Sequence, residues 1–375
     1  MKFIVNSSVL QRNLQAIGGV IPSSSSLPIL ENFLFELKDG ILYLTASDLD
    51  TTMTVSLEPS MFDGEGAVAV NAKILVEALK TLFDIPLTFN IDEDNYSVEI
   101  TAGEGKFGVA GYYGGDYPKP KVLADPVTIQ INSKVLHTAF TKTTFAVGKD
   151  EMRPVMSGVL FDITPERITF VATDAHKLVR YRRTDIEAND TSTLILPTKP
   201  LNQMKSLLAQ DDMTVLVEHD QKHISFRFGT FLVHSKLIEG RFPNFEAVIP
   251  VSNPYKLVID RIPLLNSLRR ASIFSNQSTH QIRVKIADNI LFLSAEDVDF
   301  ANKAAEPLNC SYEGDEIEIG FNAKFILEIL SNVDADMIRM ELSAPNRAVL
   351  IFPTEQEDAG EEILMLVMPV MLNQQ

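Results

Sequence analysis

The sequence predicts an α+β protein built from three copies of one unit of about 125 residues, each packing two helices on antiparallel sheet. Three landmarks, each written three times in register, predict it. The first is a strand hairpin ending in Ala-x-Asp. It turns at Asp39-Gly40 in the first copy, at Thr164-Pro165-Glu166-Arg167 in the second and at Asp288-Asn289 in the third. It closes at Asp48, Asp174 and Asp297, with intervals of 126 and 123 residues. The second is a helix start: Val70-Asn71-Ala72-Lys73, Leu196-Pro197-Thr198-Lys199 and Phe321-Asn322-Ala323-Lys324. The third is an earlier strand-to-helix opener, FIVNSSVL, IQINSKVL and LVIDRIPL, beginning at Phe3, Ile129 and Leu257. Asp116-Tyr117-Pro118 and Arg241-Phe242-Pro243 form a further pair with no clear third copy.

Each unit therefore reads strand, helix, hairpin, strand, helix and more strands, with domains at 1–125, 126–251 and 252–375. Apolar spacing predicts helices over 7–20 and 72–83, over 133–146 and 198–209, and over 261–274 and 323–333. In the second of these Ile74, Leu75, Ala78, Leu79 and Leu82 make the core stripe, and Lys73, Glu77 and Lys80 lie opposite. Strands over 87–91, 97–101 and 106–110 follow in the first unit, and Gly103, Gly105 and Gly108 fall at hairpin positions there. The chain closes on EEILMLVMPVML. Residues 363–367 read as a core strand, but Pro369 cannot donate to a ladder. The apolar stretch 368–372 is therefore expected either to tuck into a groove or to be offered to a partner.

Composition narrows the function. With 45% hydrophobic and 22% charged residues the chain reads as an ordinary globular protein. The start, MKFIVNSS, lacks an apolar leader core and no run approaches a membrane span, so a cytoplasmic protein is expected. A single cysteine, Cys310, excludes an internal disulfide and points to no nucleophile. His219 and His223 fall at a turn between strands over 214–218 and 224–228, and no metal or cofactor is expected. The three Ala-x-Asp carboxylates read as structural turns, because one explanation then covers all three copies. His176 stands apart: neither of the other copies has a histidine there.

A net charge of −17 argues against a nucleic-acid partner until the charges are located. The six helical segments hold eleven basic residues, Arg12, Lys73, Lys80, Lys134, Lys142, Lys199, Lys205, Arg261, Arg269, Arg270 and Lys324, against only Glu77 and Glu328. They total +9, which leaves −26 for the remainder of a −17 chain. Such segregation predicts one basic surface on an acidic protein. A catalytic polymerase or nuclease would need clustered carboxylates for metal ions, and the repeats supply none. A repeat scaffold that binds only proteins would leave the charge segregation unexplained.

Several motifs in order carry a resemblance over the whole chain. They are MKF at the start, Leu27-Pro28-Ile29-Leu30, Val171-Ala172-Thr173-Asp174-Ala175-His176-Lys177-Leu178, Gly240-Arg241-Phe242-Pro243, Ile319-Gly320-Phe321-Asn322 and Val367-Met368-Pro369. On these the chain resembles the bacterial sliding clamps, the beta subunits of DNA polymerase III. The resemblance implies a non-catalytic processivity factor: three clamp domains per protomer and a head-to-tail homodimer forming a six-domain ring. Helices would line the hole around duplex DNA, held without regard to sequence. It further implies a groove for short peptides of the polymerase, clamp loader, other polymerases and repair proteins. That groove would be formed by Met156, Thr173, Ala175, His176, Lys177 and Leu178, by Pro243, Val248 and Asn322, and by Leu366, Val367, Met368, Pro369 and Val370. Arg153 and Lys199 lie in matching motifs for DNA contact, and the charge count adds Arg12, Lys73, Lys80, Lys134, Lys142, Lys205, Arg269, Arg270 and Lys324. The dimer contact would join Phe107 and Val109 to Ile273 and Phe274. The chain departs from the family pattern at Met371 and Ala247, where basic residues are common, in the Ser23-Ser24-Ser25-Ser26 loop, which lacks an arginine, and in the extension Asn373-Gln374-Gln375.

Overall fold

Short polar side chains start most of the helices. The computed structural model describes residues 1–186, 188–209, 211–355 and 358–372, so the terminal extension 373–375 lies outside the described residues. Among the described residues six α-helices form at the predicted places: α1 (Ser7–Gly18), α2 (Ala72–Thr81), α3 (Ser133–Thr143), α4 (Thr198–Leu208), α5 (Arg261–Ile273) and α6 (Ala323–Ser331). Asn6 Oδ1 accepts from the N–H groups of Ser8 and Val9 at the start of α1. Asn71, Asn132 and Asn322 likewise accept from Ile74, Lys134 and Lys324 at the starts of α2, α3 and α6. These caps satisfy donors that a first helical turn leaves open, which is why the opener motifs repeat. The predicted 133–146 helix ends earlier as α3 and gives way to a 3-10 turn, Thr144–Ala146.

The hairpins turn where expected. Asp39 and Gly40 (φ 49° and 76°), like Asp288 and Asn289 (φ 51° and 61°), lie in the left-handed region that suits the strand twist of a two-residue hairpin. Thr164 and Arg167 face each other across the turn of the middle copy. The three Ala-x-Asp carboxylates are turn acceptors. Asp48 Oδ1 receives the N–H groups of Asp50 and Thr51, Asp174 Oδ1 those of His176 and Lys177, and Asp297 Oδ1 that of Asp299.

Contacts gather the chain into two units, one of residues 1–137 and 199–237, the other of residues 138–198 and 238–375. The division passes through the second repeat because strands of that repeat pair with each neighbour. In the first unit a 13-stranded sheet forms, in which Thr51–Leu57 of the first repeat pairs antiparallel with Phe231–Lys236 of the second, Val55 opposite Phe231. Phe3, Phe35 and Phe89 stack in its core, with centroids 4.8 to 6.1 Å apart. The second unit holds a nine-stranded and a four-stranded sheet. There Lys177–Arg183 of the second repeat pairs with Glu361–Val367 of the third, Lys177 opposite Val367. Phe161 and Phe170 stack at 4.5 Å in this core, with Phe140 of α3 edge-on to Phe170. No helix among the described residues is long and apolar enough to cross a membrane.

Candidate peptide groove and basic helix faces

The groove candidates gather around one turn of the second unit. Thr173 ends the strand Arg167–Thr173, and its hydroxyl donates to the Lys177 carbonyl and accepts from Ala175 N–H. With Asp174 holding the next two N–H groups, Ala175 is forced to φ 77° and His176 is pushed out into solvent. The chain then enters Lys177–Arg183, which lies beside Glu361–Val367, so Thr173, Lys177 and Leu178 come next to Leu366 and Val367. Met156 is buried beside the same turn. Its carbonyl accepts from Gly148, and a Cβ on Gly148 would stand 3.4 Å from Met156 Cβ and 3.6 Å from Asp174 Cα.

The closing tail is tied down. Met368 N–H donates to the His176 carbonyl, and Val370 N–H, just past Pro369, donates to the Gly320 carbonyl, both at 2.8 Å. Gly320 is required there, because a Cβ would meet the Val370 carbonyl oxygen at 2.6 Å. The tail thus crosses from the end of one sheet to the strand Ile317–Asn322 of the other, with Met368 and Met371 exposed. Asn322 sits at the end of that strand as the α6 cap.

The apolar floor is a buried cluster that includes Leu160, Val171, Leu178, Ile195, Leu364 and Leu366. Phe242, Phe245 and Ile249 pack on it, which leaves Pro243 and Val248 of the same segment exposed at its rim. Glu246 pins this segment to the sheet, lying 3.4 Å from Arg180 and 3.2 Å from Arg182. Burial, then the neighbouring charges of Arg180 and Arg167, push the Arg182 guanidinium below its ordinary pKa. Ala247, where the family commonly has a basic residue, is exposed next to Glu246.

Two findings go beyond the sequence reading. Lys177 offers no free charge, since its side chain is 5% exposed and its ammonium lies 2.5 Å from Asp174 Oδ2 and 2.9 Å from Glu328 Oε2. Phe325 of α6, which sequence reasoning missed, stacks on His176 with centroids 5.1 Å apart and lies under the Lys177 ammonium. Its place immediately after the landmark Lys324 was the available signal. His176 and Phe325 together present an aromatic platform beside the apolar floor.

The basic candidates divide by surroundings. Arg12, Lys73, Lys80, Arg269 and Lys324 are exposed and have no acidic partner among the described residues. Lys134 pairs with Asp212 at 2.7 Å, Arg153 with Asp150 at 2.8 Å and Lys199 with Asp48 at 2.5 Å. Arg270 pairs with Glu306 at 2.6 Å and holds that carboxyl at about 2. Lys205 is half-buried, and desolvation pushes its ammonium below the usual lysine range. Lys142 does not fit a DNA contact. It is buried and bound to the Asp334 carboxylate and the Asn332 carbonyl, because α3 turns that position inward. Counting charges by helix thus overstates the free positive surface, since acids from turns far along the chain fold back onto the lysines. Phe107, Ile273 and Phe274 are exposed, and Val109 is half-exposed.

Comparison with known proteins gives one family along the chain. Models of the DNA polymerase III beta subunit match its N-terminal domain at residues 1–121, its central domain at 130–244 and its C-terminal domain at 246–369. The Beta sliding clamp of Pseudomonas putida KT2440 is 28% identical over 375 residues, covering 99% of this chain and all of that one. The Beta sliding clamp of Escherichia coli K12 is 27% identical with the same coverage. A crystal structure of the Pseudomonas aeruginosa sliding clamp bound to griselimycin superposes with a TM-score of 0.94 at 27% identity, over 99% of this chain and all of that one. Three domains of mixed helix and sheet in this order are the fold of the replication clamps. The chain belongs to the DNA polymerase III beta subunit family. Members are beta sliding clamps, non-catalytic subunits with a processivity role, and the family implies DNA and polymerase as partners.

Proposed function

We propose that two copies of this chain join head to tail into a six-domain ring around duplex DNA and tether the polymerase to it. The domains would be 1–125, 126–251 and 252–375, and the helices would face the hole. The observation that carries this reading is a strand pairing made twice within the chain. The strand that follows each Ala-x-Asp turn, Thr51–Leu57 or Lys177–Arg183, pairs with the last strand of the next repeat. The third such strand, Asn302–Asn309, is the terminal strand of its sheet. The last strand of the first repeat, Gly105–Tyr113, pairs along residues 105–110 on one edge only among the described residues. Repeated units with one unmatched end of each kind associate heterologously and close when the rotation allows. Phe107 and Val109 of one copy would then meet Ile273 and Phe274 of the other.

Arg12, Lys73, Lys80, Arg269 and Lys324, with Lys134, Arg153, Lys199, Lys205 and Arg270 behind them, would hold phosphates loosely enough for sliding. Apolar anchors of a partner peptide would enter over Leu178 and Leu366, between the Pro243 and Val248 rim and the Met368 to Val370 tail, with Met156, Thr173, Ala175, His176 and Asn322 around them. Polymerase, clamp loader and repair proteins would share this groove in the cytoplasm, on nucleoid DNA.

The test is retention on DNA. The protein is loaded onto nicked circular plasmid with a loader fraction from its own cells, washed in high salt, and the plasmid is then linearised. Survival of the wash followed by loss on linearisation is expected. Release by salt alone from either form of DNA would mean ordinary electrostatic binding and would overturn the ring.

A further inference from the structure

The sheet face that carries the apolar floor of the groove continues past it into a cluster of arginines. Alternate residues of a strand share a face, so Leu178 is followed on its side by Arg180 and Arg182. On the neighbouring strand Val171 is preceded on that side by Thr169 and Arg167, with Arg180 opposite Val171 and Arg182 opposite Thr169. Arg182 Nε donates to the Thr169 hydroxyl across this pair at 3.3 Å, which fixes the common side. None of the three arginines belongs to the groove residues that the family resemblance implies.

These guanidinium groups are short of acceptors. Arg180 reaches Glu246 at 3.4 Å, and Arg182 reaches Glu246 at 3.2 Å and Glu362 at 3.4 Å. Well-made charge-assisted bonds measure about 2.7–2.9 Å, so both carboxylates sit loosely. Arg167 has no ion pair or side-chain hydrogen bond among the described residues, and the Nε–H groups of Arg167 and Arg180 are buried with no acceptor. Asp162, opposite Thr169 on the same face, is engaged by the Thr193 hydroxyl instead. Burial first, then the like charges of Arg180 and Arg167, disfavour the Arg182 charge more than Glu362 and Glu246 favour it. The arginines are enclosed and the acids are not: Arg180 and Arg182 are 15% and 14% exposed, Glu246 and Glu362 51% and 49%. Glu246 stands in the rim turn Glu246–Val248, so it can turn to water without unfolding the sheet beneath.

We infer that Arg167, Arg180 and Arg182 form an anion site at the end of the peptide groove, which takes a carboxylate of the partner peptide, from an aspartate or glutamate flanking its apolar anchors, in place of Glu246. The inference rests on the groove reading and deepens it by naming a second recognition element beside the apolar floor. Glu246 is then an internal stand-in: a partner with a flanking acid displaces it, and a partner without one leaves it where it is. The planar guanidinium fork suits a carboxylate taken through two N–H groups, which the loose contacts of Glu246 do not achieve. Charge placed this way selects among partners more than it adds to affinity.

The test uses the full chain and fluorescence anisotropy at constant ionic strength. Short peptides share leucine and phenylalanine anchors and carry either an aspartate pair or an asparagine pair, placed before the anchors in one set and after them in another. In one placement the aspartate peptide is expected to bind about fivefold tighter than its asparagine counterpart. A chain of net charge −17 repels an acidic peptide in general, so such a preference marks a local site. Arg182→Gln and Arg167→Gln should each bring the ratio to within about twofold while the asparagine peptide still binds. Arg167 has no side-chain partner to lose, so its variant keeps the test open if Arg182→Gln fails to fold in a thermal melt. Glu246→Gln removes the competing carboxylate and should raise the ratio, whereas a purely structural Glu246 would weaken both peptides together and leave the ratio unchanged. Equal Kd values for aspartate and asparagine peptides in both placements, or a preference that persists in every variant, would overturn the anion site and leave the groove standing. A wild type that binds none of the peptides would overturn the groove reading and this site with it.

Discussion

Lys177 separates a supporting role from a binding role. The family resemblance sets it among the groove residues, yet its ammonium is enclosed by Asp174 and Glu328 over the Phe325 ring. Lys177→Met keeps the apolar stem and removes the charge. Asp174, 15% exposed, would lose one strong partner but keep the His176 and Lys177 N–H groups, and Glu328, half exposed, would turn to water. Removing one member of a fully buried pair costs about 3–5 kcal/mol, and a charge-assisted hydrogen bond contributes about 1.5–3 kcal/mol. With one acid well hydrated and the other still held by backbone donors, the cost here should be about 2 kcal/mol. For a unit of this size that lowers the unfolding temperature by about 4–8 °C. Calorimetry would read the shift, and fluorescence anisotropy at 20 °C would read the Kd of a short peptide with leucine and phenylalanine anchors. That Kd should change by less than about threefold. A Kd raised tenfold or more with the unfolding temperature unchanged would refute the reasoning and make Lys177 a direct peptide contact.

Other outcomes follow from the same geometry. A chain ending at Val367 loses the Met368 and Val370 hydrogen bonds to His176 and Gly320, and should lose peptide binding in the anisotropy assay while sedimenting as an unaltered dimer. Loss of both would mean that the tail is structural. Replacing Lys73 and Lys324 by alanine should reduce the salt slope of equilibrium binding to linear duplex, without a loader, by about two counterions per chain, whereas Lys142→Ala should leave that binding alone and lower stability, as a thermal melt would show. Stability of the first unit should fall as pH drops through about 6.5, the value expected of an unfolded histidine. Burial, then His223, push the His234 imidazole below that value against the opposing pull of Asp220, so the folded form resists a proton that the unfolded chain accepts. The loss should accrue between that pH and the depressed folded value, and His234→Gln should flatten the slope of urea midpoint against pH.

What the sequence by itself determined was everything held by local hydrogen bonding. Asn6, Asn71 and Asn322 had to stand before their helices, and Asp48, Asp174 and Asp297 had to close their turns, because a side-chain oxygen reaches only the N–H groups two or three residues ahead. That chemistry has a fixed spacing, so three copies of it could be seen in register, and the family resemblance followed from the same stretches. Tertiary structure alone decided which charges remain free. Lys199 meets an aspartate 151 positions away and Lys142 one 192 positions away, and no periodicity in the chain encodes either meeting. It also decided that Lys177 turns inward while His176 turns out onto Phe325, although the two are adjacent in sequence. The Asp174 turn puts His176 outside the strand, and only the packing of the strand start against Glu328 and Phe325 of α6 settles that Lys177 is buried.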